Sequence, residues 1–161
     1  MTVVSIEQDK EGLNFTIVAE FSAPPARVWQ IWSDPRQLEH WWGPPTWPAT
    51  FERHELTPGG SSSYYMTGPE GEKPRGWWKV RSVDEPRSLE FDDGFSTNDG
   101  APDPNMPTIR IRVELDEHGA GTRMTIRSSF ETLEQMQQLV DMGMVEGMSA
   151  AMGQIDDVLA A

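Results

Sequence analysis

The sequence predicts an α+β domain in which antiparallel strands, interrupted early by two short helices, are followed by a long C-terminal helix. Three patterns carry that reading. Apolar residues alternate over 13–21, setting Leu13, Phe15, Ile17, Ala19 and Phe21 on one face of a half-buried strand. Two further alternating runs, IRIRVEL and TRMTIRSSF, are joined through the turn segment Asp116 to Gly121. From Leu133 the apolar spacing changes to three and four residues, through Met136, Val140, Met144, Gly147, Ala151, Ile155 and Val158, which is the period of a helix. A chain of 161 residues suits one domain with a substantial core, and no repeat or linker divides it. The expected division is a tail over 1–12 and a single domain over 13–161.

After the first strand, Ser22 is the expected N-cap of a helix whose opening prolines, Pro24 and Pro25, a first turn tolerates. Val28, Ile31 and Trp32 form its apolar face. Asp34-Pro35 starts a second short helix with Gln37 in capping-box position and Leu38, Trp41 and Trp42 buried, ended by Gly43-Pro44-Pro45. Turns at 57–60 and 68–71 bracket a strand with Ser62, Tyr64 and Met66 on one face. Residues 76–83 and 88–91 read as two more strands. The acidic, Pro/Gly-rich stretch 92–107 reads as an exposed loop.

In the last hairpin, matching the apolar sets pairs Leu115 with Met124, Val113 with Ile126, Ile111 with Ser128 and Ile109 with Phe130. Asp116 then faces Arg123, and Arg112 faces Arg127, a like-charge pair that calls for an acid from a neighbouring strand or a bound anion. In the C-terminal region Gly143, Gly147 and Gly153 each weaken a helix by about 1 kcal/mol against Ala. A break at Met142-Gly143 is expected, giving a short helix and then a longer one.

Composition bounds the function. A net charge of −13 is wrong for a nucleic-acid partner or an anionic membrane surface. The absence of cysteine removes disulfides, thiolate metal sites and a cysteine nucleophile. With no basic-then-apolar leader and no apolar stretch of spanning length, a cytoplasmic location is expected. The three histidines, 40, 54 and 118, lack ligand spacing; His118 lies in a turn, and His54 is expected on a strand surface rather than inward as a general base. No hydrolase, zinc-protease or phosphate-loop pattern occurs, so no catalytic residue, metal or cofactor is assigned.

Five of the seven tryptophans lie between residues 29 and 47, among prolines at 24, 25, 35, 44, 45 and 48, describing a rigid aromatic corner. Trp29 and Trp32 are expected in the core, and Trp41 and Trp42 at a pocket rim. Trp77 and Trp78 are adjacent on a strand, so one faces inward and one outward, and parity leaves open which. Five of nine methionines (136, 142, 144, 148 and 152) sit on the C-terminal helical segment, either as a soft pocket wall or as core filler, with Met142 off the main stripe.

The element order is that of the helix-grip fold, and particular residues sharpen the likeness. Phe21-Ser22-Ala23-Pro24 leading to Val28-Trp29, Ser33-Asp34-Pro35, Trp41-Trp42-Gly43-Pro44, Pro58-Gly59-Gly60, Gly68-Pro69-Glu70-Gly71 and Glu146-Gly147-Met148 resemble the Hsp90-ATPase-activator-homologue (AHSA1-like) branch of the START-like, or SRPBCC, superfamily. The resemblance spans about residues 13–160 and implies a Bet v 1-like curved antiparallel sheet gripping the C-terminal helix, with a cavity between them. Its wider superfamily binds lipids, hormones or polyketides, and some members are cyclases. Met148 stands where many such sequences have Trp, which changes the implied pocket.

The resemblance and the residues together imply an apolar or aromatic small-molecule ligand. The expected lining is Trp41, Trp42, Tyr64, Met66, Phe91, Met124, Met144, Met148 and Met152, with Phe95 and Met106 as a lid. A protein-interaction role, as a homodimer or a chaperone ATPase partner, ranks second. With a dozen residues before the first expected strand, the extra N-terminal domain of eukaryotic proteins of that name is not expected, which lowers the expectation of a chaperone role. An enzyme of cyclase or hydrolase type ranks third.

Overall fold

The computed structural model describes residues 2–161. Eight strands form one antiparallel sheet: β1 (Thr2–Asp9), β2 (Asn14–Phe21), β3 (Ala49–His54), β4 (Ser61–Met66), β5 (Arg75–Asp84), β6 (Ser88–Ser96), β7 (Ile109–His118) and β8 (Gly121–Ser129). Their spatial order is β1-β2-β8-β7-β6-β5-β4-β3, so β2 closes back on β8 and the chain makes a continuous meander from β3 to β8. Helices α1 (Pro25–Ser33) and α2 (Pro35–Leu38) connect β2 to β3, and α3 (Leu133–Asp141), α4 (Met144–Met152) and α5 (Ile155–Ala160) follow β8. Among the described residues no helix is long and apolar enough to cross a membrane.

The strands follow their side-chain alternation. Phe15, Ile17, Ala19 and Phe21 of β2 are buried, and Leu13 falls just outside the strand with φ +56°. The β7–β8 pairing sets Leu115 against Met124, Val113 against Ile126, Ile111 against Ser128 and Asp116 against Arg123. The ladder ends at Arg110–Ser129, one step before the expected Ile109–Phe130 pair. Arg112 does lie opposite Arg127, and its Nη1 meets Glu90 on neighbouring β6 at 3.4 Å while its Nε donates to Glu114 at 2.9 Å. A neighbouring-strand acid thus relieves the like-charge pair.

Four expectations are corrected. The tail over 1–12 contains β1, paired with β2 from Thr2–Glu20 to Asp9–Asn14. As an edge strand it is fixed by backbone hydrogen bonds, and its Val4 and Ile6 are exposed, so burial gives no sign of it. Ser22 does not cap α1, because the two prolines hold the backbone extended: Pro24, at ψ 161°, is the cap residue, without a side-chain bond. Asp34 caps α2, accepting from Arg36 N at 2.9 Å and from Gln37 Nε2 at 3.0 Å.

The third correction concerns β6, which runs five residues beyond the expected strand, so the loop begins after Ser96. The two acids that made this stretch look solvated are both partnered. On the outer face Asp92 accepts from Arg81 Nε at 2.9 Å and Arg110 Nε at 2.6 Å, one arginine from each flanking strand. Asp93 points to the opposite, inner face. The fourth concerns the C-terminal helix, which is broken twice. Gly143, in the left-handed region at φ +88°, makes the expected break. A second lies at Gly153-Gln154, where Gln154 Nε2 donates to the Gly43 carbonyl at 2.7 Å.

The core is aromatic at its centre. Trp78 stacks on Phe91 with ring centroids 4.0 Å apart, and Trp32 meets Trp41 edge-on at 4.8 Å. Trp32 Nε1 points to the Met124 sulfur at 3.4 Å, and Trp41 Nε1 donates to the Ile31 carbonyl at 3.0 Å. Trp29 and Trp32 are buried, as expected of core residues.

Candidate functional site

The concave face of the sheet is covered in two parts. Helix α1 packs on β7 and β8, and there Phe91, Met124 and Trp32 are sealed completely. Toward the other end, α3 and α4 stand off from β4–β7 and leave a cleft of about 300 Å³. One wall carries Tyr64 and Met66 from β4, Asp93, Gly94 and Phe95 from β6, and Ile109 and Ile111 from β7. Trp41, Trp42 and Pro44, from the segment after α2, close one end. The opposite wall is Leu139 of α3 and Met144, Gly147, Met148, Ala151 and Met152 of α4, with Met142 and Gly143 between the two helices.

Of the nine residues expected to line a cavity, this cleft gathers Trp41, Trp42, Tyr64, Met66, Met144, Met148 and Met152. Phe91 and Met124 are corrected: both face inward, but into the filled half, where Trp78 and Trp32 cover them. Trp41 is a buried wall residue rather than a rim residue, being 1% exposed with its N–H bonded. Phe95 lines the cleft from strand β6 rather than from a loop. Met106 lies in the loop beyond it, its sulfur 4.0 Å from Gln138 Nε2 of α3. Met142, at the mouth, is 61% exposed.

The polar point of the cleft is Asp93, which sequence reasoning missed by reading residue 93 as loop. Its Oδ1 accepts from the Tyr64 hydroxyl at 2.9 Å, although β5 runs between their strands. Gly76 makes that reach possible. It pairs with Tyr64, and a Cβ at 76 would overlap the ring carbon Cζ and the hydroxyl oxygen of Tyr64. A glycine opposite a strand tyrosine was the available signal. The outer face repeats the device: Trp77 covers Gly94 and donates from Nε1 to the Phe95 carbonyl at 3.1 Å. Trp78 is the inward member of the pair, and Trp77 is half-buried with its N–H engaged.

Burial raises the Asp93 carboxyl from 3.8 to about 7, opposed by the Tyr64 hydroxyl and the Trp78 indole, which favour its charge. The Trp78 N–H is close enough to act on the charge without closing a hydrogen bond, and it is left unpaired. Burial and the neighbouring Asp93 hold the Tyr64 phenol well above its usual range. Trp42 Nε1, beside the Tyr64 hydroxyl, is likewise buried without a partner. The cleft therefore joins an apolar body to one carboxyl.

His54 is half-buried, contrary to expectation, and stands apart from the cleft. Its Nε2 lies 2.8 Å from the Trp32 carbonyl, which only accepts, so Nε2 carries the proton and Nδ1 accepts from Ser62 Oγ at 2.8 Å. Desolvation lowers its pKa, keeping it neutral, and with both nitrogens engaged it ties β3 and β4 to α1 rather than serving as a base. Among the described residues no cluster of His, Asp and Glu suits a metal ion. A second cleft of about 540 Å³ lies between α2 and α5, but Arg27 in it is bonded to Gln37 and the Val158 carbonyl, and Arg36 to the Phe51 carbonyl.

Known proteins place this architecture. The chain is similar to a protein from Arthrobacter aurescens solved by NMR, with 57% identity over 99% of this chain and 92% of the other, at a TM-score of 0.95. It is similar to protein Ms6760 from Mycobacterium smegmatis, with 47% identity over 98% and 97% of the two chains and a TM-score of 0.91. CalU16 from Micromonospora echinospora, 17% identical over 91% of this chain and 75% of that one with a TM-score of 0.61, shares the fold alone. No curated protein matches the sequence. Residues 22–160 match the family described as Activator of Hsp90 ATPase homolog 1-like protein, and the chain belongs to that family, within the SRPBCC fold.

Proposed function

We propose that the protein binds a small, mostly apolar molecule, lipid- or polyketide-like in its carbon content, in the cleft between β4–β7 and helix α4. The observation that carries this reading is the cleft itself: about 300 Å³ of space walled by tryptophan, methionine and isoleucine around a single carboxyl. A site of this kind gains affinity by burying ligand carbon and orientation from few polar atoms. The α4 wall supports it further. Met144 and Met148 are half-buried, their flexible side chains suiting an irregular ligand, and at Gly147 an added Cβ would meet no atom within 4 Å.

The test uses N-phenyl-1-naphthylamine, a neutral dye that brightens in apolar surroundings. Saturable brightening is expected with the wild type, at least tenfold weaker in Gly147→Phe and in Met148→Trp, with circular dichroism confirming that both variants are folded. No brightening in the wild type, or equal affinity in both variants, overturns the reading.

A further inference from the structure

We propose that the ligand carries an organic cation, a protonated amine or quaternary ammonium, seated against the Asp93 carboxyl with its carbon body in the apolar cleft. The inference rests on the cleft being the binding site. It starts from two adjacent acids of one strand that the fold treats in opposite ways. Asp92, on the outer face of β6, is met by an arginine from each flanking strand, at 2.9 Å from Arg81 Nε and 2.6 Å from Arg110 Nε. Asp93, on the inner face, lines the cleft, and no Lys, Arg or His lines it with Asp93. The groups facing the Asp93 carboxyl are the Tyr64 hydroxyl, which donates to Oδ1 at 2.9 Å, and the Trp78 indole. Both are neutral. Among the described residues Asp93 thus has polar neighbours but no countercharge.

Charge then narrows the head group. A carboxylate held away from water without a cation is costly, and burial already penalises this one. A ligand that brings the missing cation relieves that cost, whereas an alcohol or an ether leaves the charge unmatched. A carboxylate or phosphate ligand sets a second negative charge beside the first, with nothing in the lining to offset it. A hard metal ion needs several oxygen ligands, and among the described residues no cluster of His, Asp and Glu supplies them. The cover of the cleft points the same way. Residues 131–152, which include α3 and α4, carry Glu131, Glu134, Asp141 and Glu146 and no Lys, Arg or His. Residues 97–108, whose Met106 reaches α3, carry Asp99 and Asp103 and again no basic residue. In a chain of net charge −13 such an approach draws cations in and turns anions away. Trp42, Tyr64 and Phe95 of the same lining are aromatic, and aromatic rings attract cations.

The experiment displaces N-phenyl-1-naphthylamine at pH 8, where the Asp93 carboxyl is charged, with three probes that share one ring system: 1-naphthylmethylamine, 1-naphthalenemethanol and 1-naphthoate. The amine is expected to bind at least roughly tenfold more tightly than the alcohol, the scale of one charge-assisted hydrogen bond, and the naphthoate most weakly of the three. In Asp93→Asn, and in Asp93→Ser as a second neutral variant, the amine's advantage over the alcohol is expected to shrink to about twofold or less. Circular dichroism confirms that each variant is folded. An alcohol or a naphthoate that matches the amine in the wild type overturns the cation assignment and leaves the cleft as the binding site. An amine advantage that survives the loss of the carboxylate also overturns it, since the cation then sits on surface acids. A dye that never binds overturns the cleft reading, and this inference with it.

Discussion

Asp93→Asn removes one titration from the wall of the cleft, and its effect on stability changes with pH in a direction that the burial dictates. The folded protein holds the Asp93 proton up to about pH 7, whereas a solvated Asp releases it near 3.8. Between those values the folded state binds more protons than the unfolded one, so stability falls as pH rises. The contribution is fully present below pH 3.8 and is lost as pH passes 7. About 1.4 kcal/mol per pH unit across that window gives a ceiling of about 4 kcal/mol. Water entering the cleft lowers the folded-state value and the size of the effect together, so the expected size lies between about 2 and 4 kcal/mol. His54 acts in the opposite sense, since burial lowers its pKa and its contribution is lost as pH falls below its ordinary 6.5. The wild-type profile alone therefore mixes two opposed terms. The difference between wild type and Asp93→Asn cancels the histidine and isolates Asp93. Urea unfolding of both proteins from pH 4 to pH 8 should show the Asn variant gaining on the wild type by about 2–4 kcal/mol, with the gain complete by about pH 7. Two stability curves that run parallel across that range would refute a buried carboxyl at 93.

Three further changes probe the same architecture. Gly76→Ala is expected to push Tyr64 off Asp93 and to destabilise by about 1–3 kcal/mol in urea unfolding, since the new methyl meets the phenol ring rather than open space. Gly147→Ala should do the reverse, gaining about 1 kcal/mol in the same assay, because the position is helical, unstrained and open at Cβ. Met124→Ala, under the Trp32 indole, should cost about 2–5 kcal/mol and leave N-phenyl-1-naphthylamine affinity within twofold of wild type, which separates the filled half of the concave face from the open half.

What could be read from the sequence follows from which forces leave a pattern. The β7–β8 register was legible because apolar pairs, one good charge pair and one bad charge pair all agree on it, and a one-residue slip would turn every side chain over. The aromatic corner and the methionine-bearing helix were legible from composition alone. Strand β1 was not, since its order comes from backbone pairing along β2 and its apolar residues Val4 and Ile6 stay exposed at the sheet edge, Ile6 even opposite the buried Ile17. Nor was the end of β6, where Asp92 and Asp93 read as solvent-loving until Arg81, Arg110 and Tyr64 arrive from three other strands. Phe91 and Met124 mark a different limit. Period-two alternation fixes which face a residue takes, but it says nothing of which half of that face a helix will seal.

The two walls of the cleft are built on opposite principles, and this bears on how a single site combines tolerance with selectivity. The sheet wall is rigid: Tyr64, Gly76 and Asp93 lock one another across three adjacent strands, and Trp41 is tied to α1 through the Ile31 carbonyl. The helix wall is soft: α4 is a nine-residue segment set off by breaks at Gly143 and Gly153, with Gly147 inside and methionines at 144, 148 and 152. Methionine adapts to shape at little cost, whereas an unmet buried polar atom is penalised whatever the shape around it. Variation in the carbon skeleton of a ligand would then be absorbed by α4, and discrimination would fall on the one fixed polar point. Engineering that widens the range of skeletons should therefore target 144 and 148, and engineering that changes the accepted head group should target 93.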